Sequence, residues 1–434
     1  MSDALEEAPI VAEIYAAAAD AEEADRIQAA FDLTPAAGGI KFVRMPIEFE
    51  SPEERPGGYG SITNNLAESS MSDLTWGDLA GNFQITIDPM LIMQYSDHLG
   101  MCELRMQIAA QHDRTGVLKE TDVMLAGGGA VTALYIIHSC LLSRGSKLLV
   151  LRPNYATNLE TSRVLGADID FFDLQHDSNW KLDVAAFCAR ITPTTRLISI
   201  TSPHNPTGMV IEEEEIRQII DCMVAVAPYC YLLVDETYRG MVVEPELESC
   251  SLAATWHERV ISVASMSKTY GLPGLRMGWL VTRNEELKKL FLAAKEQMMI
   301  AGSVLDEHVA NQIMTMESQL LPIIRENVAK RLKIVSAWLV ANNDIIECVL
   351  PRGGVVCFPR IKSLIDPNYF YRDLYAEHGT VVGPGHWFQP CSDVHFRLGF
   401  GWPTLSELKS GLESISTVIR SLPPISPRVA SRRL

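Results

Sequence analysis

A lysine and an arginine share the segment SMSKTYGLPGLRMGW, which covers residues 265–279. A lysine that is partly withdrawn from water and lies near another cation has a lowered pKa, so its neutral amine acts as a nucleophile and a base. The spacing of Lys268 and Arg276 in this glycine-rich, apolar stretch predicts such chemistry at Lys268. Taken one at a time, the two residues also fit an ordinary lysine at a strand end and a structural arginine.

Two further segments place polar side chains directly after apolar runs. In SPHNPTG (202–208) the sequence predicts a tight turn, where Asn205 either serves the turn alone or donates a hydrogen bond to a phenolic oxygen. In VDETYRG (234–240) the carboxylate of Asp235 follows a buried strand, and its burial is costly unless it is paired. Its partner is either a cation in a structural salt bridge or a protonated ring nitrogen, and in the second case the ion pair makes the ring an electron sink.

Two more segments offer contacts for anions. GGGAVTAL (127–134) places glycines before a helix, where backbone N–H groups suit a phosphate, although close packing explains the glycines equally well. The segment matches neither the GxGxxG nor the P-loop pattern, so it does not predict a dinucleotide or ATP site. VHFRLGFG (394–401) places Arg397 in an apolar run, either as half of a buried ion pair or as a planar fork for a ligand carboxylate.

The composition limits the classes of partner. The 434 residues are 47% hydrophobic and 21% charged, which is ordinary for a soluble globular protein. The formal net charge of −17 repels phosphate backbones, so we predict no nucleic-acid partner. The most apolar run, residues 126–142, opens on glycines and is interrupted by His138, so we also predict no membrane partner.

Cysteine and histidine usage points to a cytoplasmic protein without a metal. The nine cysteines are scattered with no CxxC pair, which favours reduced thiols over a disulfide framework or a zinc site. The ten histidines show no HExxH spacing. The N-terminal segment is acidic and lacks the basic flank of a signal peptide, so we expect a cytoplasmic location.

Buried strands must position these side chains. Residues 146–153, 195–203, 230–236 and 259–268 are continuous apolar runs separated by helical stretches, which predicts an α/β fold with a mostly parallel sheet flanked by helices. In such sheets ligands bind at the carboxyl ends of the strands. We therefore expect one composite site from the polar residues that follow the strands, namely Asn154, Tyr155, Asn205, Asp235, Tyr238, Ser265 and Lys268.

The pattern along the chain predicts three parts. Residues 1–80 form an N-terminal segment that contributes to a small domain and to the entrance of the site. Residues 81–310 form the large domain that carries the sheet. Residues 311–434 begin with a long helix and continue with short strand-like pieces, so we expect a smaller α+β domain there.

The order of the motifs resembles a known family. A glycine-rich loop, Tyr155, NPTG, D-x-x-Y, S-x-S-K followed by Arg276, and a late arginine occur in the order found in fold-type I pyridoxal 5′-phosphate (PLP) enzymes. The resemblance is to the class I and II aminotransferases of the aspartate aminotransferase superfamily, and it covers roughly residues 90–415. It implies PLP as cofactor, an L-amino acid as substrate, transamination as reaction, a seven-stranded type of sheet and a homodimer with active sites at the interface.

The resemblance implies a role for each residue at a matching position. Lys268 would form the Schiff base with PLP and carry protons, and Asp235 would pair with the pyridinium nitrogen. The other cofactor contacts would be Asn205 and Tyr238 at the phenolic oxygen, Tyr155 on the ring face, and Gly129, Ala130, Val131, Ser265, Ser267 and Arg276 at the phosphate. Tyr95 would reach the phosphate of the neighbouring subunit's cofactor. Arg397 and Asn205 would bind the substrate, Arg397 through its α-carboxylate, with Phe388 nearby.

One segment departs from the usual family pattern. NNLAESSMSDLTWGDL (64–79), together with the motifs above, is similar to capreomycidine synthase-like enzymes, which carry out elimination and cyclisation on an arginine derivative. Glu68 and Asp73 would face a cationic side chain in that case, or lie on an acidic loop without function. Transamination remains the main prediction and elimination or cyclisation the alternative. The third hypothesis is a non-catalytic PLP-binding regulator. Such a protein should have a DNA-binding extension or lack the lysine at position 268, and neither is seen in this sequence.

Overall fold

The structure, a computed structural model, describes residues 62–71, 74–244, 247, 251–363, 365–388 and 395–423. The strands, in chain order, are β1 Asn64–Leu66, β2 Val123–Gly127, β3 Lys147–Arg152, β4 Asp168–Asp173, β5 Thr195–Thr201, β6 Tyr231–Asp235, β7 Val260–Ser265, β8 Met277–Val281, β9 Ile346–Glu347, β10 Val356–Cys357, β11 Arg360–Ile361, β12 Thr380–Pro384 and β13 Phe396–Gly399. The helices are α1 Trp76–Asn82, α2 Cys102–Gln111, α3 Ala130–Leu141, α4 Glu160–Val164, α5 Val184–Cys188, α6 Glu213–Val226, α7 Glu285–Met299, α8 Val304–Thr315, α9 Glu317–Ala341, α10 Pro367–His378 and α11 Leu405–Ser421.

The larger sheet has seven strands in the order β2-β8-β7-β6-β5-β3-β4. Every neighbouring pair is parallel except those that β8 makes with β2 and β7. Each of the four strands expected from apolar runs is present, because such runs suit strands that are covered on both faces. The predicted α/β fold with a mostly parallel seven-stranded sheet is therefore confirmed.

Helices cover both faces of this sheet. Alternate residues of β5 point to opposite sides, so Ile198 packs in one core cluster with Ile219 of α6. Leu197 packs in another cluster with Leu134 of α3 and Leu287 of α7. The two faces therefore carry separate apolar cores, and polar groups concentrate at the strand ends.

The antiparallel strand β8 has one consequence for the site. Gly127, the last residue of β2, pairs with Met277, the first residue of β8. The residues just beyond these two ends must therefore meet, and the N–H of Gly128 donates to the carbonyl of Arg276 at 2.7 Å.

The smaller sheet has four strands in the order β1-β12-β13-β10. β1 runs parallel to β12, with Asn64 opposite Thr380, and β12 runs antiparallel to β13. Helix α11 lies so close to β1 that a Cβ on Gly411 would come within 2.3 Å of Leu66. The position of β1 brings the residues that follow it, including Ser69, close to Lys268. The division of the chain into three parts stays a prediction.

No helix in the described part of the chain is both long enough and apolar enough to cross a membrane. Within the same ranges, no three His, Cys, Asp or Glu side chains are grouped as a metal ion would require.

Candidate active site

Lys268 lies just beyond β7 and is half-buried. Its ammonium group donates a hydrogen bond of 2.9 Å to the hydroxyl of Ser69, which comes from the segment that follows β1. Lys268 is thus held between the large sheet and the segment that follows β1. This hydrogen bond fixes the position of the amine nitrogen near the end of β7.

Asp235 ends β6, and its carboxylate is buried beside the lysine. Burial raises the pKa of Asp235, while hydrogen bonds from Thr237 and the charge of Lys268 act in the opposite direction. The N–H of Thr237 donates to the carboxylate at 3.1 Å. The hydroxyl of Thr269 donates to the carbonyls of Thr237 and Arg239, so the turn after Asp235 is fixed to the residue next to Lys268.

A tight turn joins β2 to α3. Gly128 and Gly129 have φ values of 94° and 87°, a region that favours glycine, and α3 begins at the next residue. The first N–H groups of a helix have no partner within it. A Cβ on Gly129 would lie 3.2 Å from Nη2 of Arg276 and 3.6 Å from the hydroxyl of Ser267. The turn, the guanidinium and the hydroxyl therefore form one cationic cradle around the glycine.

Gly278 lies directly behind this cradle, and we expect its replacement by alanine to weaken the binding of the predicted cofactor, PLP. A Cβ at this position would lie 2.5 Å from the carbonyl carbon of Gly129 and 2.6 Å from the nitrogen of Ala130, both backbone atoms that cannot swing away. Overpacking of this kind costs about 1–3 kcal/mol. We expect Gly278→Ala to lower the free energy of unfolding by that amount and to raise the dissociation constant of PLP, measured by urea titration and by reconstitution of the apoprotein.

Gly274→Ala is the matched control for this prediction. Gly274 lies in the same segment, and a Cβ there would meet nothing within 4 Å. Equal losses of PLP affinity in the two variants would contradict the role given to the close packing of Gly278.

Arg397 lies on β13 of the smaller sheet and is fully buried. Its Nη1 donates to the side-chain oxygen of Asn205 at 3.2 Å, and its Nη2 donates to the carbonyl of Ala67. The guanidinium carbon lies 5.0 Å from the centre of the Phe388 ring. These contacts bring the fork of Arg397 to the NPTG turn of the large sheet and fix its plane, as recognition of a carboxylate requires.

The aromatic candidates lie around the same strand ends. Tyr155 follows β3 and is half-buried, and the N–H of its neighbour Asn154 donates to the carbonyl of Phe388 at 3.0 Å. Tyr238 is buried three residues after Asp235, with Gly354 against its ring. Phe388 itself lies against the face of Arg397, so its contact with a substrate would be next to that arginine.

Three further candidates from the sequence are Tyr95, Glu68 and Asp73. Tyr95 is 80% exposed, so its side chain has little contact with its own chain. Glu68 is half-buried and lines a cavity of about 550 Å³ together with Trp402 and Glu407. Asp73 lies outside the described residues.

The chemical groups of the site fit the cofactor predicted from the sequence. The cradle around Gly129 leaves little room for a Cβ, and it offers N–H groups and a guanidinium to a phosphate. Asp235 is a buried carboxylate of the kind that a ring N–H⁺ neutralises, and Lys268 is the amine beside it. A phosphate, a pyridine nitrogen and an aldehyde each therefore have a matching group.

Several residues of the site were not predicted from the sequence. Ser69, Thr237 and Thr269 hold the lysine and the carboxylate, and Gly278 shapes the cradle. Thr237 comes two residues after Asp235 and Thr269 directly follows Lys268, so their place within two predicted motifs was a usable signal. Ser69 had no such signal, because only the fold brings it to Lys268.

Comparison with known proteins gives consistent similarities. The profile of the family described as aminotransferase class I and II matches residues 71–415. Capreomycidine synthase from Streptomyces vinaceus is 28% identical over 82% of this chain and 90% of its own length. Arginine–pyruvate transaminase from Pseudomonas aeruginosa is 27% identical over 76% of this chain and 84% of its own. A solved structure of a PLP-dependent aminotransferase from Streptococcus suis superimposes with a TM-score of 0.75 and 25% identity, over 85% of this chain and 96% of that one.

Proposed function

Because the chain belongs to the class I and II aminotransferases and is thus a PLP-dependent enzyme, we propose that Lys268 binds the cofactor covalently and transfers the substrate's α-proton. This proposal is carried by the closeness of Lys268 to the buried carboxylate of Asp235, since the hydroxyl of Thr269, next to Lys268, donates to the carbonyl of Thr237 in the turn after Asp235. When bound, PLP supplies a ring that accepts the electron pair left on the substrate's α-carbon. Asp235 keeps a proton on the ring nitrogen, and Lys268 is the base at the α-carbon.

The other residues of the site hold the cofactor and orient the substrate. Asn205 turns its oxygen toward Arg397, which leaves its amide N–H₂ as a donor for the phenolic oxygen, with Tyr238 as the second donor. Arg397 binds the α-carboxylate through its fork. The proposed contacts of the ring face and the phosphate are Tyr155, Gly129, Ala130, Val131, Ser265, Ser267 and Arg276.

We also propose a homodimer. The segment before α2 and one residue of that helix expose a series of large apolar side chains, which a second copy would cover. These are Ile87, Met90, Ile92, Met93, Tyr95 and Met106, with exposed fractions from 40% to 82%. Tyr95 lies in this patch, so dimer formation would bring it to the partner, where we place it at the partner's cofactor phosphate.

A charge within this patch should disrupt the dimer. We expect Ile92→Glu to shift sedimentation from dimer to monomer, because the buried carboxylate would be desolvated without a partner. Val340→Glu is the control, since Val340 is 71% exposed and lies on α9, outside this patch. A monomeric parent protein, or a dimer unaffected by Ile92→Glu, would contradict the proposed interface.

The cytoplasm is the compartment we propose. The seven cysteines among the described residues are all free thiols, as a reducing compartment favours. We keep residues 1–80, 81–310 and 311–434 as the proposed three-part division.

A second candidate is elimination or cyclisation of an arginine derivative. One similar protein is a capreomycidine synthase, and a second, the arginine–pyruvate transaminase, shows that a relative of this chain acts on arginine. In this chain, Glu68 and Glu407 line one cavity with the ring of Trp402, and carboxylates with an aromatic face suit a guanidinium group.

Product analysis separates the two reactions. Purified holoenzyme is incubated with single L-amino acids, each with and without a 2-oxo acid, and the products are identified by mass spectrometry. Transamination yields a new 2-oxo acid and a new amino acid in equal amounts, and only when the acceptor is present. Release of a side-chain leaving group from an arginine derivative without any acceptor would establish the second candidate instead.

A further inference from the structure

Two oppositely charged side chains are fully buried beneath the segment that follows Tyr95. Glu307 of α8 and Lys295 of α7 have no exposed surface. Burial raises the pKa of Glu307 and lowers the pKa of Lys295 to about 8. Buried ionisable groups are costly, and neither residue belongs to the site described above, so their contacts require an explanation.

Both side chains hold the same short segment of the chain. One carboxylate oxygen of Glu307 accepts hydrogen bonds from the hydroxyl of Ser96 at 2.5 Å and from the N–H of Met101 at 2.9 Å. The ammonium group of Lys295 donates to the carbonyl of His98 at 2.5 Å. Residues 96–101 are therefore fixed from beneath at three points along the turn.

The other oxygen of Glu307 has a different environment. It is buried without a hydrogen-bond partner among the described residues. The chain passes it so closely that a Cβ on Gly302 would lie 2.4 Å away. A buried carboxylate with hydrogen bonds to only one of its oxygens contributes little net stability to the fold. We therefore assign Glu307 a role in fixing the geometry of residues 96–101.

The residue immediately before this anchored turn is Tyr95. Its side chain is 80% exposed, so its own contacts do not define its direction. The direction of the phenol is set instead by the position of the next residue, Ser96, whose hydroxyl is bonded to Glu307. A tyrosine that must reach a group on another subunit gains affinity when its backbone is fixed beforehand.

We propose that Glu307 is a positioning residue for Tyr95, holding Ser96 and Met101 so that the phenol projects toward the cofactor phosphate of a partner subunit. This inference rests on the proposed function, in which Tyr95 contacts that phosphate. Lys295 supports the same turn through His98.

The test is a double-mutant cycle on PLP affinity. Glu307→Gln, Tyr95→Phe and the double variant are converted to the apo form, and the dissociation constant of PLP is measured at a concentration that keeps the parent dimeric. We expect each single variant to raise the constant about 10-fold, the loss of one hydrogen bond to a charged group. The double variant should bind PLP no more weakly than Tyr95→Phe alone, because Glu307 acts only through Tyr95.

The matched control is Asp113→Asn. Asp113 is a buried carboxylate that also holds a turn, but a different one, through the N–H groups of Thr115 and Leu118. It should lower the melting temperature without changing PLP affinity. Should Glu307→Gln fail to fold, Ser96→Ala removes the same bond without changing charge, and the same lack of additivity with Tyr95→Phe is expected.

Two results overturn the proposal in distinguishable ways. Multiplicative losses in the cycle, or a Glu307→Gln variant with normal PLP affinity, mean that Glu307 has no positioning role while Tyr95 keeps its own. Normal PLP affinity in Tyr95→Phe would contradict the proposed contact of Tyr95 with the phosphate. Glu307 would then have no contact to position.

Discussion

Replacing Lys268 by alanine is expected to abolish the visible absorbance band of lysine-bound PLP and to lower kcat on the order of 10⁴-fold. The variant loses the only amine that we place at the cofactor's aldehyde and the base that we place at the substrate's α-carbon. PLP should still bind, because the cradle around Gly129 and Arg276 is unchanged. The absorbance spectrum of the purified variant and single-turnover kinetics measure the two effects.

Lys289→Ala is the control, since Lys289 is an exposed lysine paired with Glu286 on the surface. Added methylamine should restore part of the activity of Lys268→Ala, because a small amine can serve as the missing base. A variant that keeps the band of lysine-bound PLP would assign the covalent bond to another lysine.

Replacing Arg397 by lysine is expected to lower kcat/KM for the amino acid about 10- to 150-fold, which is the loss of roughly 1.5–3 kcal/mol of charged hydrogen bonding. Lysine keeps the charge but lacks the planar fork, and it also loses the contact geometry with Asn205 and Phe388. Most of the change should be a rise in KM, because the α-carboxylate is bound before and during the reaction.

The amine obtained by removing the substrate's carboxylate provides the internal control. It has no group for Arg397 to bind, so its slow turnover should be the same in the parent enzyme and in Arg397→Lys. Equal losses for the amino acid and the amine would mean that the arginine acts through the fold rather than through the carboxylate.

The sequence predicts the central part of the site because the ends of buried strands can be predicted from the pattern of apolar residues. A continuous apolar run indicates a buried parallel strand, and the carboxyl ends of such strands lie along one edge of the sheet. Asn205, Asp235 and Lys268 each come within a few residues of such an end, so their closeness follows from the strand pattern alone. Arg397 was found from its apolar surroundings and its place in the motif order.

The remaining contacts could not be predicted, because they join segments with no shared pattern. Ser69 and Lys268 are separated by 199 positions, and Arg397 and Ala67 by 330, so only the pairing of β1 with β12 brings them together. Glu307 lies in an ordinary amphipathic helix, and nothing in its neighbours indicates that it contacts Ser96. Such contacts depend on how helices and loops pack, which local propensity does not determine.

The antiparallel register of β2 and β8 also limits where this chain tolerates insertions and deletions. Because Gly127 pairs with Met277, one added residue in either strand would turn alternate side chains to the opposite face and carry Arg276 away from Gly128. At the other end of the pair, Val123 lies opposite Val281, and residues 114–117, which precede β2, are exposed and belong to no helix or strand. Changes of chain length should therefore be accepted near residues 116 and 117, and rejected between residues 127 and 130 or 274 and 278.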